Sequence, residues 1–318
     1  MSETERLINS VVQGYGLYYY GGIGKIDGGT DNPVLPSERK YAIIQSLWTK
    51  PINNAEHLRK TLFIAALSLA YAHKSGYKVY MHTDSKGYEL LKKFGYDKLE
   101  KTLDAIPDTV PTELFAAGKF FAMRAEGMVG CLHTDFDVFI KKPHLLDKFF
   151  EDERIDVVVQ NEENYDIYCF HKDKIRPMHI LGYPPATRPT WRGSLNTGVV
   201  GFNNTRLATK YMNTYFEALK MYSVEQFEAY KATDERADMH FDFILEQVNL
   251  SYMSLGYNLL TLVPMMQPTE VANRIGYTHL LGGYKWSDEY QKQIKAALKK
   301  HDIKIYNAAV LATRKIKD

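Results

Sequence analysis

The sequence predicts an α/β domain: a mostly parallel β-sheet flanked by helices. Two observations carry that expectation. Short apolar runs alternate with longer apolar-periodic stretches over the first 140 residues, the pattern of strands joined by crossover helices. The chain of 318 residues is 45% hydrophobic and 25% charged, which supplies a packed core and excludes disordered, collagen-like and coiled-coil classes. Neither an internal repeat nor a flexible linker interrupts it. The expected organisation is one bilobed domain over residues 1–318, with halves at about 40–140 and 141–290 and a tail at 291–318.

The elements follow in order. Residues 14–36 are rich in glycine and tyrosine and read as a loop or hairpin. Their GGIGK at Gly21 to Lys25 lacks the spacing of a phosphate-binding P-loop. Lys40 to Trp48 reads as a buried first strand, closed by Thr49-Lys50-Pro51. Asn54 caps a long helix that runs to about Lys74 and stops at Gly76. Tyr77 to His82 is a second strand, followed by the turn Asp84-Ser85-Lys86-Gly87 and a short helix to Phe94. A third strand is placed at Leu99 to Leu103, a helix from Pro111 to about Ala125, and a fourth strand at Met128 to Leu132. Later come strands at Ile155 to Gln160, Leu195 to Phe202 and Asn258 to Val263, with helices at about 205–222 and 235–249. Residues 171–194 show no clean period and read as a functional loop.

Charge and composition exclude several functions. Forty basic against 38 acidic residues leave +2, too little for a protein whose affinity comes from neutralising phosphates along a nucleic acid. Two cysteines, Cys131 and Cys169, cannot build a disulfide framework or a cysteine-rich zinc site. The N-terminus lacks a basic segment followed by an apolar one. The apolar run Thr61 to Ala72 falls short of the ~20 residues that span a bilayer. A cytoplasmic protein without a transmembrane segment is expected, its lysine-bearing tail from Gln291 forming a solvated helix. The 23 tyrosines offer flat apolar faces with a hydroxyl, suited to sugar or base contact or simply to a tyrosine-rich core.

The segment MVGCLHTDFDVFIKKP is the most informative. An apolar strand runs into Asp135-Phe136-Asp137, and another apolar run follows. Two carboxylates flanking one residue on an extended backbone can face the same side. Their mutual repulsion is relieved by a hard divalent cation, Mn2+ or Mg2+, whose shell phosphate oxygens can complete. The bland alternative is a solvated turn.

Here the sequence resembles the nucleotide-sugar glycosyltransferases of the GT-A fold, a Rossmann-like α/β architecture. Beside the Asp-x-Asp pair, Ser194 to Asn203 (SLNTGVVGFN) is similar to the strand that follows the metal site, and Phe243 to Gln247 (FILEQ) to the acidic helix start beneath the sugar. His279-Leu280-Leu281-Gly282-Gly283-Tyr284-Lys285-Trp286 resembles the H-x-x-G-x-x-K-P-W motif of the glycogenin and lipopolysaccharide-galactosyltransferase family. The proline before Trp286 is missing, and Glu246-Gln247 stands where that family has Asp-Gln.

The resemblance implies a metal-dependent hexosyltransferase that retains anomeric configuration. Residues 40–140 would bind a nucleoside-diphosphate sugar, by resemblance a uridine one, and residues 141–290 an acceptor that is a glycan, protein, lipid or nucleic-acid base. Asp135, Asp137 and His279 would hold Mn2+ or Mg2+. The donor would meet Trp48, Thr49 and Lys50, Asp84, Lys119, Asn196, Gly282, Gly283 and Lys285. Trp191 and Arg192 would meet the acceptor. Asp242 and Glu246 lie four apart on a predicted helix and share a face; with Gln247 they are the catalytic candidates. Each has a plainer alternative: a surface lysine at Lys119, a turn aspartate at Asp84, a loop histidine at His279, an exposed acidic face at Asp242 and Glu246.

Two rival functions make different demands on the sequence. A sugar nucleotidyltransferase would carry a G-x-G-T-R loop directly after the first strand, where this chain has Ser46-Leu47-Trp48-Thr49-Lys50-Pro51. A catalytically silent sugar- or protein-binding module would not need Asp135, Asp137 and His279 intact.

Overall fold

The computed structural model describes residues 42–127, 129–142, 145–163, 194–221, 232, 242–263, 275–280 and 282–317. The predicted loop at 14–36 lies outside them, as does all of 171–194 but its last residue. The expected α/β class is what the chain adopts. Strand β1 (Ala42–Leu47) leads through helix α1 (Ala55–Lys74) to β2 (Lys78–Thr83), α2 (Ser85–Leu91) and β3 (Lys98–Glu100). Helix α3 (Ala117–Ala125), β4 (Cys131–Thr134), β5 (Val138–Ile140), α4 (Asp147–Glu151) and β6 (Val157–Glu162) follow. Then come β7 (Leu195–Phe202), α5 (Thr205–Met221), a π-helical turn (Ile244–Val248) running into α6 (Asn249–Met253), and β8 (Leu259–Thr261). The described chain ends with β9 (Tyr277–His279), a 3-10 turn (Gly283–Trp286), α7 (Asp288–His301) and α8 (Ile303–Thr313).

Among the described residues seven strands form one sheet in the order β3-β2-β1-β4-β7-β6-β8. All run parallel except β7, which is antiparallel to both of its neighbours. Side chains alternate across the sheet as the pleat demands. Val158 and Val199 enter the core that holds α1, whereas Val157, Val159 and Val200 enter the one that holds Phe120, Tyr211 and Tyr215. Covered on both faces, β7 is buried along its whole length.

Several boundaries differ from expectation. Helix α1 begins as read: the Asn54 side chain accepts from the His57 N–H, and Gly76 turns the chain at φ 87°. The helix expected from Pro111 starts only at Ala117; residues 111–116 form turns that bury Leu114. Strand β4 lies about two residues later than expected because Gly130, at φ 71°, bends the chain before it. The third strand is shorter, and a 3-10 turn at Thr102–Ala105 takes its end. The tail is not a single solvated helix. Asp302 breaks it and caps α8 by accepting from the N–H groups of Lys304 and Ile305, while Ile294, Leu298, Ile305 and Ala309 join the core on the α1 side. Strand β9 was not anticipated; it pairs antiparallel with β5. No helix among the described residues is long and apolar enough to cross a membrane.

Candidate active-site cleft

The parallel strands β1, β4 and β6 end along one edge of the sheet, and β7, running the other way, begins there. Open sheets bind ligands at such an edge. A cleft of about 800 Å3 opens at it, lined by Trp48, Lys119, Asp135, Asp137, Asn196, Glu246, Gln247, His279, Gly282 and Lys285 among others. Thus residues from 48 to 285, chosen on separate grounds, are brought together.

The small sheet explains how. Val138 of β5 pairs with His279 of β9, and the Leu280 N–H donates to the Asp137 carbonyl at 3.1 Å. His279 Nε2 therefore stands 3.3 Å from Asp137 Oδ1. Its other nitrogen, Nδ1, lies 2.6 Å from Gln160 Oε1, which also accepts from the Tyr277 hydroxyl at 2.5 Å. A carbonyl oxygen can only accept, so Nδ1 carries a proton and Nε2 is the atom turned to the carboxylate. That is how metal-ligating histidines are held. One ligand atom from each of Asp135, Asp137 and His279 lies within 4.8 Å of the others. Two hard oxygens and an imidazole suit Mn2+ and accept Mg2+, so the residues present fit the cation.

Gly198 makes room for this group. A Cβ there would lie 2.5 Å from His279 Cε1 and 2.6 Å from Gln160 Oε1, closer than packed atoms approach. Gly198→Ala is expected to push His279 aside and destabilise the fold by about 1–3 kcal/mol. Weaker Mn2+ binding by calorimetry, with a lower melting temperature, checks it.

Charge is distributed unevenly. Lys119 Nζ sits 3.0 Å from Asp135, donates to the Thr197 carbonyl at 2.7 Å and pairs with Glu246, which also accepts from the Thr197 hydroxyl at 2.6 Å. Burial works to lower the Lys119 pKa, but Asp135 and Glu246 outweigh it and hold the ammonium charged. Burial raises the Asp135 carboxyl above its ordinary range, with Lys119 opposing. The same burial acts on Asp137, yet His279 and Lys285, the latter 2.5 Å away, overcome it and hold that carboxyl well below the usual range. Asn196 is fixed between Glu163 and the Gly198 N–H.

Other expected residues lie elsewhere. Thr49, Lys50, Asp84, Asp242 and Gly283 are not in the cleft lining. Asp84 accepts from Thr49, the Lys50 N–H and the Gly87 N–H, tying the end of β1 to the start of α2. Lys50 pairs with Asp108 on the surface. Asp242, fully buried, accepts from the Ala116 N–H at 2.8 Å and the Tyr215 hydroxyl; burial, helped by Glu246, raises its carboxyl well above the ordinary range. It fastens the start of α3. Trp191 and Arg192 lie outside the described residues.

A family model described as a family of unknown function, DUF6734, matches residues 41–311. The chain belongs to DUF6734. No curated protein matches it. Solved structures similar to this DUF6734 chain include the apo form of mouse xyloside xylosyltransferase 1, at 12% identity over 64% of this chain and 80% of that one, TM-score 0.33. The galactosyltransferase LgtC in complex with donor and acceptor sugar analogs is 10% identical over 81% and 95%, TM-score 0.36. The glycosyltransferase GlyE of Streptococcus pneumoniae TIGR4 is 12% identical over 86% and 64%, TM-score 0.40.

Sequence reasoning missed Gln160 and His57. Gln160 ends an apolar run, and a polar residue closing a buried strand at the ligand edge was the available signal. His57 packs its ring 3.9 Å from that of Trp286 in the cleft wall; nothing local announced that contact across 229 residues.

Proposed function

We propose that this protein is a metal-dependent glycosyltransferase that moves a sugar from a nucleoside-diphosphate sugar, by sequence resemblance a uridine one, to an acceptor hydroxyl. The observation that carries the reading is the convergence of Asp135, Asp137 and His279 beside two lysines in one cleft. When bound between the two carboxylates and His279, Mn2+ or Mg2+ supplies charge stabilisation for a departing diphosphate.

The chain's own residues divide the remaining work. Lys285, on the turn after Gly282, can leave Asp137 for a phosphate oxygen, and Gly282, with no side chain, lets the backbone approach the donor. Trp48 gives a flat face for a base at the end of β1. Asn196, its amide already fixed, is placed to orient a sugar hydroxyl. Glu246 is held by Lys119 and Thr197 beneath the cleft, where a carboxylate offsets positive charge growing on the sugar ring. Gln247 lines the cleft beside it. Retention belongs to this proposal: with the nucleotide and the acceptor on one face of the sugar, a leaving phosphate oxygen takes the acceptor proton. Of the two acidic candidates, Asp242 lies outside the lining and Glu246 is already ion-paired, so neither is offered here as a dedicated base.

A screen of nucleotide sugars for slow Mn2+-dependent hydrolysis tests the reading, and no turnover of any donor would overturn it. Lys285→Ala is expected to weaken the affinity of the preferred donor by about 1.5–3 kcal/mol, the worth of a hydrogen bond to a charged group; titration calorimetry measures it. For stereochemistry, NMR of the product should show an α-linkage from an α-linked donor. A β-linkage would overturn retention and require a base on the opposite face.

A further inference from the structure

We propose that His82, Glu100 and Glu126 form a second divalent-cation site, suited to Zn2+, outside the cleft and under the C-terminal end of α3. His82 of β2 and Glu100 of β3 are register partners, so their side chains share one face of the sheet. Glu126 caps α3 and comes down onto the same face. One ligand atom from each lies within 4.8 Å of the others.

The second observation is the state of His82. Its side chain is fully buried. Nδ1 lies 2.7 Å from Thr102 Oγ1. Nε2 faces Glu126 Oε1 at 3.0 Å, yet it makes no hydrogen bond among the described residues. In the tautomer that ligates, with the proton on Nδ1 and donated to Thr102, the Nε2 lone pair stands against a carboxylate oxygen. Two electron-rich atoms so placed are what a cation between them relieves, and a hydroxyl on the far nitrogen is the support that ligating imidazoles use.

Charge points the same way. Lys98 Nζ bridges the two carboxylates, 2.6 Å from Glu126 and 3.2 Å from Glu100. One ammonium against two carboxylates leaves one negative charge in excess, and Glu126 is largely buried. A divalent ion in place of the ammonium balances the pair. Lys98 is part-exposed and already lies 5.7 Å from the Tyr80 ring, so it has water and an aromatic face to move to. An imidazole with two carboxylates suits Zn2+, which would keep water in its remaining positions, better than Mg2+. Such an ion would clamp β2 and β3 to the end of the helix that carries Lys119.

The test uses the full chain with Asp135→Asn and Asp137→Asn, which silence the cleft, and Co2+ as a coloured stand-in for Zn2+. One equivalent of Co2+ should bind, give visible d–d absorption and be displaced by Zn2+. Adding Glu126→Gln or Glu100→Gln should each weaken binding by about tenfold or more. Lys98→Ala should strengthen it by removing the competing cation. Glu100 is 43% exposed on an edge strand, so its variant serves if Glu126→Gln does not fold. Should the Asn background not fold, the second equivalent is followed in the wild-type chain. No Co2+ bound beyond the cleft equivalent, or an affinity that neither glutamate variant changes, overturns the site.

Discussion

Asp137→Ala is expected to abolish Mn2+-stimulated donor hydrolysis while the protein stays folded. The carboxylate faces His279 and Lys285 at once, so its loss disperses the whole group. Removing one preorganised electrostatic contact at a reacting centre typically slows a reaction by about 10²–10³, or about 2.7–4 kcal/mol; the effect here should be at least that. The fold should survive because Asp137 joins the two small strands through its backbone carbonyl, which accepts from Leu280 whatever the side chain. Lys285 sits at the rim and can turn to water. Circular dichroism separates the two effects. A folded Asp137→Ala protein with full activity would remove Asp137 from the site.

The sequence made this pair visible because both carboxylates and the strands around them are local. The same holds for α1, where cap, periodic face and terminal glycine lie in one window. What it hid is long-range. Nothing near His279 says that Tyr277–His279 will pair with Val138–Ile140, and that pairing alone sets the imidazole beside Asp137. Asp242 and Glu246 share a helical face in the sequence, but the structure separates their roles. Asp242 ties down Ala116, whereas Glu246 falls in a π-helical turn, where the wider ring reorients side chains and brings it to Lys119. Asp84 reads as a ligand or a turn residue with equal ease; four donors from Thr49, Lys50 and Gly87 fill its carboxylate. The tail looked solvated because lysines recur along it, yet Ile294, Leu298, Ile305 and Ala309 fall on the side that meets α1.

Lys119→Ala carries the other large effect, on stability as well as activity. The ammonium is buried against Glu246 and the Thr197 carbonyl and also meets the part-exposed Asp135. Its removal leaves the buried Glu246 carboxylate without its counter-ion and beside the Asp135 charge. Taking one partner from a buried pair typically destabilises by about 3–5 kcal/mol, because the remaining charge has lost its counter-ion. Denaturant unfolding should show a loss of that size. Adding Glu246→Gln removes one uncompensated charge, so the double variant should be more stable than Lys119→Ala alone. In a double-mutant cycle the two changes should therefore be strongly non-additive. Activity should separate from stability in the same series. Under retention Glu246→Gln alone keeps substantial turnover, since the amide still offers the sugar a polar oxygen and Lys119 keeps Asp135. Were Glu246 the proton acceptor of an inverting reaction, that single change would lower kcat by several orders of magnitude while the protein stayed folded. Additive effects in the cycle would show that Lys119 and Glu246 act apart, and would dissolve the charged floor on which this reading of the cleft is built.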